Sequence, residues 1–166
     1  MHTYDAFNTD MYRTLFEHSL LGVFLFTHEG VITECNVRFA VIMGTTQEKL
    51  IGLNMFKELP DKRIHDAICK AFIGEHGTVY GEYTSVTGGK KSFLHTLFFG
   101  IKDEEKSEIK GIAIVDDLTD LYETKKQLLT THTLIETIMK NLPDMVWAKD
   151  LEGEFIASNK RLEALL

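Results

Sequence analysis

Residues 92–119 read SFLHTLFFGIKDEEKSEIKGIAIVDDLT, and this stretch decides the fold. Two runs rich in β-branched and aromatic residues, 92–102 and 109–116, flank the charged segment DEEKSE, which reads as a hairpin turn. In the first run Phe93, Leu97 and Phe99 project to one side of a strand and Leu94 and Phe98 to the other. Both faces of the sheet therefore carry large apolar groups and need cover. Directly after the second run the pattern changes. Thr119 reads as a helix N-cap, with Asp120 and Glu123 in the first turn, where negative charge is favourable.

Working outward toward the N-terminus, residues 78–87 form a third strand signal, closed by the tight turn Gly88-Gly89. Before it, Pro60 opens a helix over 61–73, in which Ile64, Ile68 and Phe72 recur every four residues; Gly74 and Gly77 end it. Short helical pieces are expected at 36–43, 46–51 and 55–59, separated by Gly44, Gly52 and Asn54. Residues 22–27 and 31–35 read as a β-hairpin about His28-Glu29-Gly30. A tail of residues 1–8 leads into an amphipathic helix at 9–19, carrying Met11, Leu15 and Phe16. The order of two strands, helices, then three strands predicts an α+β fold with a five-stranded antiparallel sheet and helices on one face. The other face is left to the N-terminal helix or to a second copy of the chain, so a homodimer is expected.

The 166 residues, 44% hydrophobic and 26% charged, suit one globular domain plus an extension and exclude a disordered or fibrous chain. With 25 acidic and 18 basic side chains the net charge is −7, which offers no electrostatic footprint for nucleic acid or an anionic membrane. Cys35 and Cys69 are too few for a disulfide scaffold and match no metal spacing. A reducing, cytoplasmic compartment is expected, with each cysteine a small buried hydrophobe. No secretion signal opens the chain. The longest apolar run, LLGVFLF, is too short to span a membrane, although a parent protein could be tethered elsewhere.

Beyond the sheet, residues 118–141 predict a long helix. One heptad seam position is filled by Leu121, Leu128, Ile135 and Leu142, its companion by Leu118, Lys125, His132 and Met139. That is a half-apolar, weak parallel coiled coil; the alternative is a solvated helix packed on its own domain. The last segment, 142–166, lies without gaps on the opening of the chain 123 residues earlier. Val23 meets Val146, Glu29 meets Glu152, Gly30 meets Gly153, Asn36 meets Asn159 and Arg38 meets Arg161. It reads as the start of a second copy of one structural unit, cut within its first helix, and thus as part of a longer tandem-domain protein.

In Gly30 at the hairpin turn, Asn36 leading the first helix, EKLIG at 48–52, the strand pair about Gly88-Gly89 and the exit tripeptide Asp117-Leu118-Thr119, the chain resembles the PAS family. The resemblance implies a PAS domain over 9–117, a signalling helix at 118–141 and the start of a second PAS domain from 142. It further implies a sensory, signal-transmitting module of a prokaryotic signalling protein, foremost a sensor histidine kinase. Asp117, Leu118 and Thr119 would transmit the signal, Leu121, Leu128 and Ile135 would join two protomers, and no residue of this stretch would be catalytic. A ligand-free dimerisation spacer in a cyclic-dinucleotide enzyme or a transcription regulator is the first alternative. A small α+β enzyme with an unrecognised site is the second.

Phe24, Phe39, Met43, Met55, Phe56, Ile68, Phe72, Leu97 and Phe99 are the candidate lining of a small-molecule cavity, set against a fully packed core. Tyr83 and His95 lie on strands whose register decides whether they reach it. Some PAS sensors hold haem through a histidine on the helix that here carries His65. At the margin of the apolar stripe, His65 is better read as solvent-facing or hydrogen-bonded than as an axial ligand. GLNMFKEL is similar to the flavin-binding light-oxygen-voltage subclass, but Met55 stands where that subclass has its adduct-forming cysteine, and a thioether is no such nucleophile. The stretch around His132 lacks the phosphoacceptor pattern of histidine kinases. Thr87-Gly88-Gly89-Lys90 is a hairpin turn and not a phosphate loop, and neither a metal nor a required cofactor is assigned.

Overall fold

Five antiparallel strands, β1 (Gly22–Phe26), β2 (Ile32–Cys35), β3 (Gly77–Thr84), β4 (Lys91–Asp103) and β5 (Glu108–Asp117), pair in the order β2-β1-β5-β4-β3. Between β2 and β3 the chain forms α2 (Val37–Met43), α3 (Gln47–Leu50), α4 (Met55–Glu58) and α5 (Lys62–Phe72), and before β1 it forms α1 (His2–Glu17). The computed structural model describes residues 2–103 and 108–164, in two compact units, Met1–Thr119 and Asp120–Leu166. The α+β architecture expected from the order of elements is the one found. The turn read in DEEKSE lies outside the described residues at 104–107.

Strand parity separates two faces. Phe24, Phe26, Leu94, Phe98, Ala113 and Val115 point inward and are buried, joined by Phe39, Ile42, Met43, Leu50, Met55, Ile64 and Ile68 from the helices. Val23, Leu25, Leu97, Phe99, Ile112 and Ile114 alternate with the inward set and are half-buried on the outer face. Helix α5 lies tight on the sheet because its inward face is small. A Cβ on Gly77 would sit 2.0 Å from the Ala67 carbonyl oxygen, and one on Gly100 2.4 Å from that of Ala71. Arg63 ties the start of α5 to β3, donating to the carbonyls of Tyr80 (3.4 Å) and Glu82 (3.1 Å) while pairing with Asp61 at 2.7 Å. At the opposite edge, residues 52–55 run along β2: Ile32 N–H donates to Leu53 O, Gly52 N–H to Ile32 O, and Met55 N–H to Gly30 O. That loop covers an edge that would otherwise offer unpaired backbone groups.

Asn36 is fully buried and uses its whole amide. Its Oδ1 accepts from Val23 N–H (3.0 Å) and Phe39 N–H (2.9 Å), and its Nδ2 donates to the carbonyls of Phe16 (2.8 Å) and Leu21 (3.0 Å). One side chain thus fixes the end of α1, the start of β1 and the N-terminus of α2.

In the second unit α6 (Thr119–Asn141, its first residue still in the first unit) leads to β6 (Trp147–Lys149), β7 (Phe155–Ser158) and α7 (Lys160–Glu163). The repeat read from sequence recurs in hydrogen bonds. Asn159 Oδ1 accepts from Val146 N–H (3.2 Å) and Leu162 N–H (3.3 Å), and Nδ2 donates to Asp144 O (2.8 Å), each partner 123 residues after its counterpart at Asn36. The correspondence extends upstream. Met11, Tyr12 and Leu15 of α1 are exposed, as are Leu134, Ile135 and Ile138 of α6, while Phe16 is buried and its counterpart Met139 half-buried. Helix α1 is therefore to the first unit what the end of α6 is to the second.

Several boundaries differ from the sequence reading. The first helix runs from His2 to Glu17, over most of the stretch read as a tail, because Tyr4, Ala6 and Phe7 continue its apolar content upstream. Cys69 is exposed, because the buried stripe of α5 consists of Ile64, Ala67, Ile68 and Ala71; only Cys35 is a buried hydrophobe. Met139 is half-buried, and Leu121, Leu128, Leu129, Leu134, Ile135 and Ile138 are the exposed apolar groups of α6.

Candidate functional site

Two places in the first unit stand out: a hollow between the helices and the sheet, and the exit from β5. The hollow has a volume of about 60 Å³. Its walls come from β1 (Phe24), β4 (Leu94, Thr96, Phe98), β5 (Val115) and the helical segments (Phe39, Met43, Leu50, Met55, Ile64). Ser85, Val86 and Thr87 of the β3–β4 turn border it.

Of the nine cavity residues expected from sequence, Phe24, Phe39, Met43 and Met55 line the hollow. Ile68 is fully buried in the core beside it, and Phe56 and Phe72 pack against that core from its margin. Leu97 and Phe99 do not reach it. Their parity on β4 is opposite to that of Leu94, Thr96 and Phe98, so they stand on the outer face. The same parity puts His95 outside, against Tyr80 at 5.8 Å between ring centroids, and brings Tyr83 to the hollow. Burial, and secondarily the Asp61 carboxylate, pushes the Tyr83 hydroxyl pKa up.

His65 is held elsewhere. Its Nε2 lies 2.9 Å from the Leu59 carbonyl and 3.1 Å from that of Met55, so it donates to backbone between α4 and α5. It does not line the hollow, and a haem would find no axial nitrogen there. Neither haem nor flavin fits: a hollow of about 60 Å³ is several-fold below the ~300–1,000 Å³ of sites for ligands of that size. Among the described residues no group of three or more His, Cys, Asp or Glu side chains could hold a metal ion, and no helix is long and apolar enough to cross a membrane.

At the exit, Asp117 and Thr119 form a clasp. Asp117 Oδ1 accepts from the backbone N–H of Thr119 (3.1 Å) and from the Thr119 hydroxyl, while Thr119 Oγ1 accepts from Phe93 N–H at 2.9 Å. Leu118 N–H donates to Phe93 O (2.9 Å), and Lys90 Nζ lies 3.5 Å from Asp117 Oδ2. The capping oxygen at the start of α6 thus comes from Asp117, and the Thr119 hydroxyl is turned back to β4. Burial pushes the Asp117 carboxyl up, but the Thr119 hydroxyl and amide and the Lys90 ammonium outweigh it and hold the group below its ordinary 3.8. The tripeptide singled out from sequence therefore locks the start of a 23-residue helix to the sheet. Sequence reading missed two of its partners, Phe93 and Lys90, because they adjoin Asp117 only through the β4–β5 pairing.

Comparison with known proteins bears on this arrangement. A family model described as PAS domain matches residues 10–72. A search of curated proteins gives no match. Among solved structures, the PAS domain of an HTR-like protein from Haloarcula marismortui aligns with a TM-score of 0.57 and 18% identity, over 70% of this chain and 96% of that one. The PAS domain of a two-component sensor histidine kinase aligns at 0.56 and 14% identity, over 68% of this chain and 98% of that one. An RNA-binding light-oxygen-voltage receptor aligns at 0.60 and 15% identity, over 80% of this chain and 39% of that one. At these identities the structures speak for the fold, and the family model for the helical and N-terminal strand region. Together they show a PAS domain in the first unit: the family model matches residues 10–72, and the solved structures share the fold of the sheet and its helices.

Proposed function

We propose that the chain is the sensory and signal-transmitting part of a prokaryotic signalling protein, foremost a sensor histidine kinase. The first unit senses a small molecule, and α6 relays its state as a dimer. The observation that carries this reading is the clasp of Asp117 and Thr119 on Phe93, with Lys90 at its side. It makes the start of α6 an extension of the sheet that walls the hollow, so a change in strand geometry is delivered to the helix without a catalytic step. The 23 residues of α6 include none that is buried, and Leu121, Leu128 and Ile135 are exposed by more than half. Such a helix gains by pairing with its copy.

The test uses the full-length protein. Asp117→Ala and Thr119→Val should leave the first unit folded and shift signalling output at least severalfold in its basal or stimulated level; unchanged output in both would remove the transmission role. Leu128→Glu with Ile135→Glu should raise the dimer dissociation constant by roughly tenfold or more, read by sedimentation equilibrium. Unaltered association would contradict the paired helix. A ligand-free spacer would show the second effect and respond to no small molecule.

A further inference from the structure

We propose that the hollow of the first unit takes a compact, uncharged, mostly apolar molecule with a single hydrogen-bonding group, received by Thr96, and that it rejects carboxylates and other ions. The proposal rests on the sensory reading of this same hollow and names the class of its ligand.

Three observations carry it. The lining contains no Lys, Arg, His, Asp or Glu. An ion entering would lose its hydration with no partner to replace it, which costs several-fold more than any apolar contact so small a molecule could return. The Asp61 carboxylate, which acts on Tyr83, already holds the Arg63 guanidinium at 2.7 Å and is no free partner for a cation.

The polar edge is also selective. Ser85 Oγ is engaged by Thr87 Oγ1 and by Gly88 N–H, both at 3.1 Å. Thr96 is only 8% exposed, lines the hollow, and its hydroxyl makes no hydrogen bond among the described residues. Among the described residues only the Ser92 hydroxyl is fully buried without a partner, so that of Thr96 keeps some accessible surface, and a ligand that pairs with it gains more than one that merely fills space.

Size sets the third limit. The hollow, about 60 Å³, is well under the ~300–1,000 Å³ of sites for drug-sized ligands, hence it suits a small molecule. Met43 and Met55, unbranched and in the wall, can yield to slightly larger ones.

The experiment follows methyl resonances of the full chain on adding xenon, 1-propanol, propanoate or n-propylammonium. Xenon and 1-propanol should shift the methyls of Ile32, Met43, Met55, Thr96 and Val115 in a saturable way, and the two ions should leave them in place. Thr96→Val should weaken 1-propanol roughly five- to tenfold without changing the xenon response, and Thr96→Ser should restore most of the loss. Propanoate or the ammonium ion acting on the same methyls as strongly as 1-propanol would overturn the ligand class. Failure of both xenon and 1-propanol to move them would overturn the proposal outright. Neither outcome touches the output test on Asp117 and Thr119, through which the sensory reading itself stands or falls.

Discussion

Single residues show how much depends on satisfying buried polar groups. Asn36→Ala would strand the amides of Val23 and Phe39 and the carbonyls of Phe16 and Leu21. We expect a loss of about 2–4 kcal/mol in urea unfolding, and an intact stability would contradict the clasp. Ser92 offers the opposite case. Its hydroxyl is buried without a partner, so Ser92→Ala should be neutral or stabilise by up to about 1 kcal/mol. The two cysteines differ as sharply. Burial pushes the Cys35 thiol up to about 11, with Glu17, Glu34 and Glu48 adding to the effect, whereas Cys69 is exposed on α5. At pH 8 a thiol reagent should label one cysteine per folded chain, Cys69, and two after denaturation; rapid labelling of Cys35 in the native protein would be inconsistent with its position.

At the scale of elements, the seat of α5 on the sheet is set by glycines on the strands. Gly77→Ala would drive a methyl into the Ala67 carbonyl and should cost several kcal/mol, or the fold itself, although alanine is the better strand residue by intrinsic preference. A stability within about 0.5 kcal/mol of the parent would show that the helix can shift. The likeness of α1 to the end of α6 lies in their exposed apolar residues and in one less exposed apolar side chain near the end, Phe16 buried and bonded through its carbonyl to Asn36, Met139 half-buried.

For residues 1–166 by themselves, the two units should differ in stability. In the first, Phe24 and Ile32 are 3% exposed beneath the helices and the other strands. Their counterparts in the second, Trp147 and Phe155, are 55% and 61% exposed, and residues 142–164 contain no counterpart of β3–β5 to cover them. Amides of β6 and β7 should therefore exchange with solvent orders of magnitude faster than those of β4 and β5; equal protection would mean that another surface covers the hairpin. Stability should also fall at both ends of the pH scale. The raised Cys35 thiol favours the folded state fully below its ordinary 9.0, and that contribution is lost as pH climbs to about 11. The lowered Asp117 carboxyl contributes above its ordinary 3.8, and this part is lost as pH falls through its still lower folded value, loosening the start of α6 first. Alanine at Asp117 should make the acid limb shallower and leave the alkaline limb unchanged, with Asp61, also held low, still contributing to the former.

The order of elements, the turn glycines, the helix starts at Asn36 and Asp61 and the repeat at Asn159 are properties of local sequence, because periodicity, capping and left-handed turns depend on residues only a few places apart. The exit tripeptide was legible for the same reason. Which face of β4 meets the hollow was not: alternation places Leu97 and Phe99 opposite Leu94 and Phe98, but only the packing of α5 and α2 makes one of those faces the inside. The same holds for His65, whose role depends on where the carbonyls of Met55 and Leu59 fall, and for Cys69, whose exposure depends on which arc of α5 touches the sheet. Composition and period set what each segment can bury. Contacts between segments distant in sequence settle which side is buried, what remains polar within it, and therefore what the hollow can admit.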